Sequence, residues 1–187
     1  MTITISKSLT LEEFLKLPET KPAKEYINGK IIPKSMPKGR HSRLQSKLCN
    51  VINQVTEEAK IAYAFPELRC SFGDRSIVAD LVVFEWTRIP FARDGQVPDD
   101  FKIPPDWTIE ILSPDQNPNK VIGNILYCLE YGSKLGWFID PNDQSILVFL
   151  QGKQPILLQG NQLLPVLESI QLELTATEVF SWLKMNK

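Results

Sequence analysis

Two apolar runs in this 187-residue chain each carry a single carboxylate at the centre, and that restricts the fold more than anything else in the sequence. "SIVADLVVF" (76–84) is broken by Asp80, and "WTIEIL" (107–112) has Glu110 as its one charged group. Both runs are rich in β-branched and aromatic residues and are predicted to be buried strands. A buried, unpaired carboxylate is costly; such groups find a cation, take up a proton or hold a metal. Arg69, Arg75 and Arg88 are candidate salt-bridge partners. The other course is convergence. Alternate strand residues share a face, so Asp80 is expected to point with Val78, Val82 and Phe84, and Glu110 with Thr108 and Leu112. On neighbouring strands the two acids would meet, and two rigid oxygen ligands suit a hard divalent cation such as Mg²⁺.

The rest of the chain supplies helices and further strands. Thr10 and Glu13 form a capping box ahead of "LEEFL", a short helix. Asn28-Gly29, between "KEYI" and "KIIPK", predicts a type I′ hairpin. Leu44, Leu48, Val51, Ile52 and Val55 recur at helical spacing from His41 to about Ala59. Strands are expected over 61–70 and 76–84, joined by the turn "FGDR". The proline-rich stretch "TRIPFARDGQVPDDFKIPPDW" reads as a long surface loop. Val121, Ile122, Ile125, Leu126 and Leu129 mark a second amphipathic helix, with Pro118 in its first turn and Gly132 at its end. "GWFIDP" and "QSILVFLQGK" are strands around the turn "DPND", and a capping box at Thr175 and Glu178 opens a last helix. The order predicts an α+β chain, an α/β/α sandwich with a central mixed sheet flanked by helices and an N-terminal hairpin, over residues 1–187 as one domain.

Charge and composition narrow the function. A net charge of −1 argues against coating nucleic acid by bulk charge but leaves room for a local basic groove. Three cysteines without metal-ligand spacing suggest a reducing compartment. With no apolar run of membrane length and no leader-like start, the expected location is cytoplasmic, off the membrane. The lone histidine, His41, would have to carry any zinc site or serine triad by itself. Between Glu25 and Glu57 there is no acid, while Lys30, Lys34, Lys38, Arg40, Arg43 and Lys47 fall in that span. A basic strip over a helix start, beside a candidate metal site, fits a phosphodiester substrate; the bland alternative is a solvated helix face.

Taken in order, "KEYINGKII", "MPKGRHSRLQ", "IVADLVVF", "WTIEILSP" and "YGSKLGWFIDP" resemble the Uma2 (DUF820) family of the PD-(D/E)XK nuclease superfamily, from about Leu11 to Phe149. The resemblance implies a restriction-endonuclease-like fold and Mg²⁺-dependent hydrolysis of nucleic acid, probably DNA, with Mn²⁺ able to substitute. It implies that Asp80 and Glu110 bind the metal and that Glu25 is a further ligand or orients water. It also implies that His41 belongs to the site; with Arg40, Arg43 and Lys38 it would contact the phosphate backbone. A homodimer is the implied assembly. The chain departs from the family pattern in that Ala79 precedes the aspartate. Leu112 and Asn124 also stand where a lysine is expected. Lys120, one turn before Asn124, is the candidate to supply that charge. Two other readings stand beside the nuclease: a catalytically degenerate nuclease fold serving as a nucleic-acid-binding or protein-interaction module, and a metal-dependent phosphoesterase acting on a small substrate.

Overall fold

A computed structural model describes residues 9–185. The start of the chain, read above for a leader, lies outside these residues. Helix α1 (Leu11–Leu15) opens on the predicted capping box, Thr10 with Glu13. Strands β1 (Lys24–Ile27) and β2 (Lys30–Pro33) form the expected hairpin. Its turn residues Asn28 and Gly29 both have positive φ, 51° and 76°, as a type I′ turn requires. Helix α2 spans Gly39–Thr56 and buries His41, Leu44, Leu48 and Ile52 along one stripe.

The two long strands expected over 61–70 and 76–84 are each broken in the middle. The first becomes β3 (Ala62–Pro66) and β4 (Arg69–Phe72), and the second β5 (Arg75–Val78) and β6 (Leu81–Glu85). The breaks coincide: Glu67, at φ 49°, donates its N–H to the Asp80 carbonyl at 3.2 Å. The outer halves β3 and β6 pair in one sheet, and the inner halves β4 and β5 in another. Asp80 therefore stands at a corner where the chain changes sheets, not inside a continuous strand. This corrects the expectation that it shares a strand face with Val82 and Phe84. Period-two patterning is blind to such a bend, because both halves remain apolar.

Strand β7 (Trp107–Ile111) is buried throughout. Helix α3 (Pro118–Glu130) follows, and then β8 (Leu135–Asp140), β9 (Ser145–Leu150), β10 (Ile156–Gln159) and α4 (Ala176–Ser181). The main sheet runs β10-β9-β8-β7-β6-β3, mixed because β7 and β8 are parallel while its other pairs are antiparallel. A smaller antiparallel sheet, β2-β1-β5-β4, carries the hairpin. Helices α2 and α4 cover one face of the main sheet through Leu44, Leu48, Trp137, Ile139 and Val179. On the other face Val121 and Ile125 of α3 pack on Phe138 and Phe149. That is the α/β/α layering expected.

The proline-rich segment is only partly a surface loop. Phe101 is buried against Phe65 and Phe84 and bridges to Cys70. Asp106 is buried too, and accepts from Arg88 at 2.7 Å and from the Glu85 N–H at 2.9 Å.

One glycine sets how closely α3 approaches the sheet. A Cβ on Gly136 of β8 would overlap Cγ2 of Ile125. Asn124, next to Ile125, is thereby held over Glu110. Gly136→Ala is expected to destabilise the protein by about 1–3 kcal/mol, the usual range for overpacking, read as a lower urea midpoint at unchanged slope.

Candidate active site

Pairing of β6 with β7 sets Leu81 opposite Ile109, and one step further along that register lie Asp80 and Glu110. At this step side chains replace the backbone ladder. Asp80 Oδ2 accepts the Ile111 N–H at 2.7 Å, and Glu110 Oε2 lies 3.4 Å from the Asp80 N–H. The two acids are thus cross-strand neighbours on different strands, and both are buried, at 1% and 4% exposure. None of Arg69, Arg75 and Arg88 pairs with either. Arg69 goes to Glu19, Arg75 to Asn28 and the Tyr127 ring, and Arg88 to Asp106.

The hairpin brings the third acid and a cation. Glu25 of β1 is buried and accepts the Val78 N–H at 2.8 Å. It stands opposite Ile32 in the hairpin register. Lys34 lies two residues beyond Ile32, so it leaves the hairpin on the same face as Glu25. Its Nζ donates to the Val78 carbonyl at 2.6 Å and sits 2.6 Å from Asp80 Oδ1. His41 approaches the same oxygen, Nε2 to Oδ1 at 3.2 Å, while its Nδ1 meets Ser113 Oγ at 3.0 Å. Lys34 and His41 thus converge on this one buried oxygen from two different elements. Asn124 completes the cluster from α3, its Nδ2 3.2 Å from Glu110 Oε1 and 3.4 Å from Glu25 Oε1.

The electrostatics follow from burial and this one ammonium. Burial alone would raise the Asp80 pKa, but Lys34 and His41 outweigh it and hold the carboxyl at about 2. Burial pushes Glu110 well up, and the Asp80 charge beside it pushes the same way. Glu25 is raised by burial, against the pull of the Val78 N–H and Lys34. Burial would lower Lys34, but the charges of Asp80, Glu110 and Glu25 prevail and keep it protonated.

A cavity of about 460 Å³ opens over this cluster, lined by Glu25, Lys34, Arg75, Glu110, Lys120 and Asn124 among others. Asp80 and His41 lie behind Lys34 and do not line it. Lys120 is exposed at its rim. The other residues expected at the substrate each have a partner within the chain. Lys38 pairs with Asp115, which itself lines the cavity, whereas Arg40 holds the Pro141 carbonyl and Asn142 and Arg43 donates to the Trp182 carbonyl at 3.0 Å. Sequence reading missed Lys34, Ser113 and the amide role of Asn124. The hairpin register could have found Lys34, since a type I′ turn at Asn28-Gly29 fixes which residues share the face of Glu25.

Three carboxylates and the Val78 carbonyl make a donor set of hard oxygens, the chemistry that Mg²⁺ or Mn²⁺ takes. Among the described residues no three His, Cys, Asp or Glu side chains already stand in ligand geometry. The acids are disposed around Lys34.

A raised carboxyl pKa has a cost in stability at neutral pH. The folded state holds the proton more tightly than the unfolded chain does. The contribution is complete below the unfolded Glu value and is lost as pH rises through the folded one. In EDTA, Glu110→Gln is expected to melt above the native chain at pH 8, by about 2–4 °C per kcal/mol relieved. The gap should close toward pH 4, and calorimetry across pH measures it.

Residues 11–178 match the Uma2 family, described as "Putative restriction endonuclease". A crystal structure of "a putative nuclease belonging to DUF820" from Anabaena variabilis ATCC 29413 superposes with a TM-score of 0.92 at 51% identity, covering 94% of this chain and 99% of that one. No curated protein matches.

Proposed function

This chain belongs to the Uma2 family, and from that premise we propose that it is a metal-dependent endonuclease hydrolysing phosphodiester bonds, with DNA as substrate. The family and the close structural relative support a nuclease. The observation that carries the reading is the convergence of Glu25, Asp80 and Glu110 at the floor and back of one cavity. Buried carboxylates gathered with so few cations suit a divalent ion far better than a structural role.

In this reading Asp80 and Glu110 would hold Mg²⁺ or Mn²⁺, with Glu25 as a further ligand or the group that orients water. The ion supplies Lewis-acid chemistry, polarising a phosphoryl oxygen and making water a better nucleophile. The chain's own groups do the rest. Asn124 fixes the rotamers of Glu25 and Glu110. Ser113 orients the His41 ring, and His41 holds Asp80 in place from behind. Arg75 and Lys120 meet the phosphate backbone at the cavity wall and rim. Cutting both strands of a duplex in one encounter calls for two such centres, which is the reason for proposing a homodimer.

Supercoiled plasmid incubated with Mg²⁺, Mn²⁺ or EDTA tests this directly. Nicking is expected with either metal, none in EDTA, and a loss of about 100-fold or more in Asp80→Ala. No cutting by a folded native chain would turn the assignment to the non-catalytic binding module. Lys120→Ala is expected to weaken DNA binding modestly for every sequence and to lower the slope of log K against log salt by about 1, measured by fluorescence anisotropy.

A further inference from the structure

We infer that Lys34, from the N-terminal hairpin, is the catalytic cation of this site: its ammonium touches the substrate phosphate and stabilises the charge that grows there. The inference rests on the nuclease reading above and names a residue that this reading leaves idle.

Three cations line the cavity, and they differ in what they can reach. Arg75 is held by Asn28 at 3.0 Å and lies over the Tyr127 ring at 4.1 Å. Lys120 is exposed, and its side chain meets no carboxylate of the cluster among the described residues. Lys34 alone of the three places its charged atom against one of the acids, 2.6 Å from Asp80 Oδ1. Its side chain is only 10% exposed, yet it contributes to the cavity wall. It is therefore the group that separates Asp80 from the space where a substrate would lie.

The ammonium has three N–H donors. One goes to the Val78 carbonyl and one direction is taken by Asp80. The third has no protein acceptor among the described residues, and a phosphate oxygen in the cavity would supply one. A partly buried cation is worth more to an oxyanion than a solvated one, because water does not screen it and it needs no reorganisation. Lys34 is also fixed: its backbone N–H donates to the Ala23 carbonyl at 2.8 Å, continuing the hairpin pairing up to the site.

In hydrolysis a water oxygen bonds to phosphorus while the bond from phosphorus to one sugar oxygen breaks. The water's proton passes to solvent, and the leaving oxygen takes one from solvent. Negative charge builds on the non-bridging and leaving oxygens as this happens. Lys34 neither gives nor takes a proton in the step. It is already charged, and it offers that charge where the oxygens need it. Leu112 cannot do this and Asn124 offers only a neutral amide, so the hairpin supplies from another element what β7 and α3 lack.

The test compares native protein, Lys34→Met, Lys34→Arg and the double variant Lys34→Met/Asn124→Lys. Each is assayed for plasmid nicking and, separately, for Mn²⁺ binding by calorimetry, with melting curves to establish folding. Lys34→Met is expected to lose about 100-fold in cutting while binding Mn²⁺ at least as tightly as native. Cutting should return at least in part in Lys34→Arg or in the double variant, where the amine approaches the same carboxylates from α3. Cutting by Lys34→Met within threefold of native overturns the inference and leaves the nuclease reading standing. So does a loss matched by lost Mn²⁺ binding, or one that neither charge-restoring variant relieves. A native chain that binds Mn²⁺ but never cuts overturns both.

Discussion

One ammonium among three buried carboxylates is the contact on which the organisation of this protein turns. Lys34 meets Asp80, and Glu25 and Glu110 add their charge from farther off. Asp80 comes from the corner between β5 and β6, Glu110 from β7, and Glu25 and Lys34 from the hairpin. The cluster therefore ties the small sheet to the large one at the place where their strands part. Removing Lys34 would leave the buried Asp80 charge without its main compensation, which costs far more than a surface pair could contribute. Burial and the Asp80 charge raise Glu110 while Lys34 and His41 hold Asp80 down, so the two neighbouring acids are set far apart in acidity. Such splitting marks functional sites more often than structural ones.

Around that cluster the supporting contacts are of the kind that fix geometry. Asn124 spans two of the acids, Ser113 orients the histidine that backs the third, and Gln45 donates to the Asp80 carbonyl at 2.8 Å. Each reaches the site because an element is held close: α3 by the absence of a side chain at Gly136, and α2 by its apolar stripe on the sheet. Packing on both faces of the main sheet thus sets the tolerance of the chemistry between them. A site assembled from two sheets and two helices is also one that a shift in any layer would open, so core substitutions far from Asp80 should read out there.

Much of this was legible in the residues. The capping boxes at Thr10 and Thr175, the Asn28-Gly29 turn, the stripe on α2 and the strand around Glu110 are local signals, decided by neighbours within one turn or one strand. Two lone carboxylates in apolar runs announced a site because burial of charge is costly wherever it occurs. The resemblance to Uma2 added order and spacing that no single motif carries. Lys34 was legible too, through the hairpin register, but its neighbours in the basic strip hid it. Lys38, Arg40 and Arg43 share its charge but pair with Asp115, the Pro141 carbonyl and the Trp182 carbonyl.

What the sequence by itself determined was the set of elements and the presence of acids that must find a cation, since propensity, periodicity and desolvation are properties of the chain alone. What only the tertiary structure decided was which cation they find. Opposite charges select one another by position in three dimensions, and the bend at Asp80 leaves no trace in an apolar pattern. The hairpin brings a cation, Lys34, to the carboxylates, where the following helix brings only the amide of Asn124. That is why Lys34, far upstream of Asp80 in the chain, answers a charge that the local sequence around Asp80 and Glu110 leaves open.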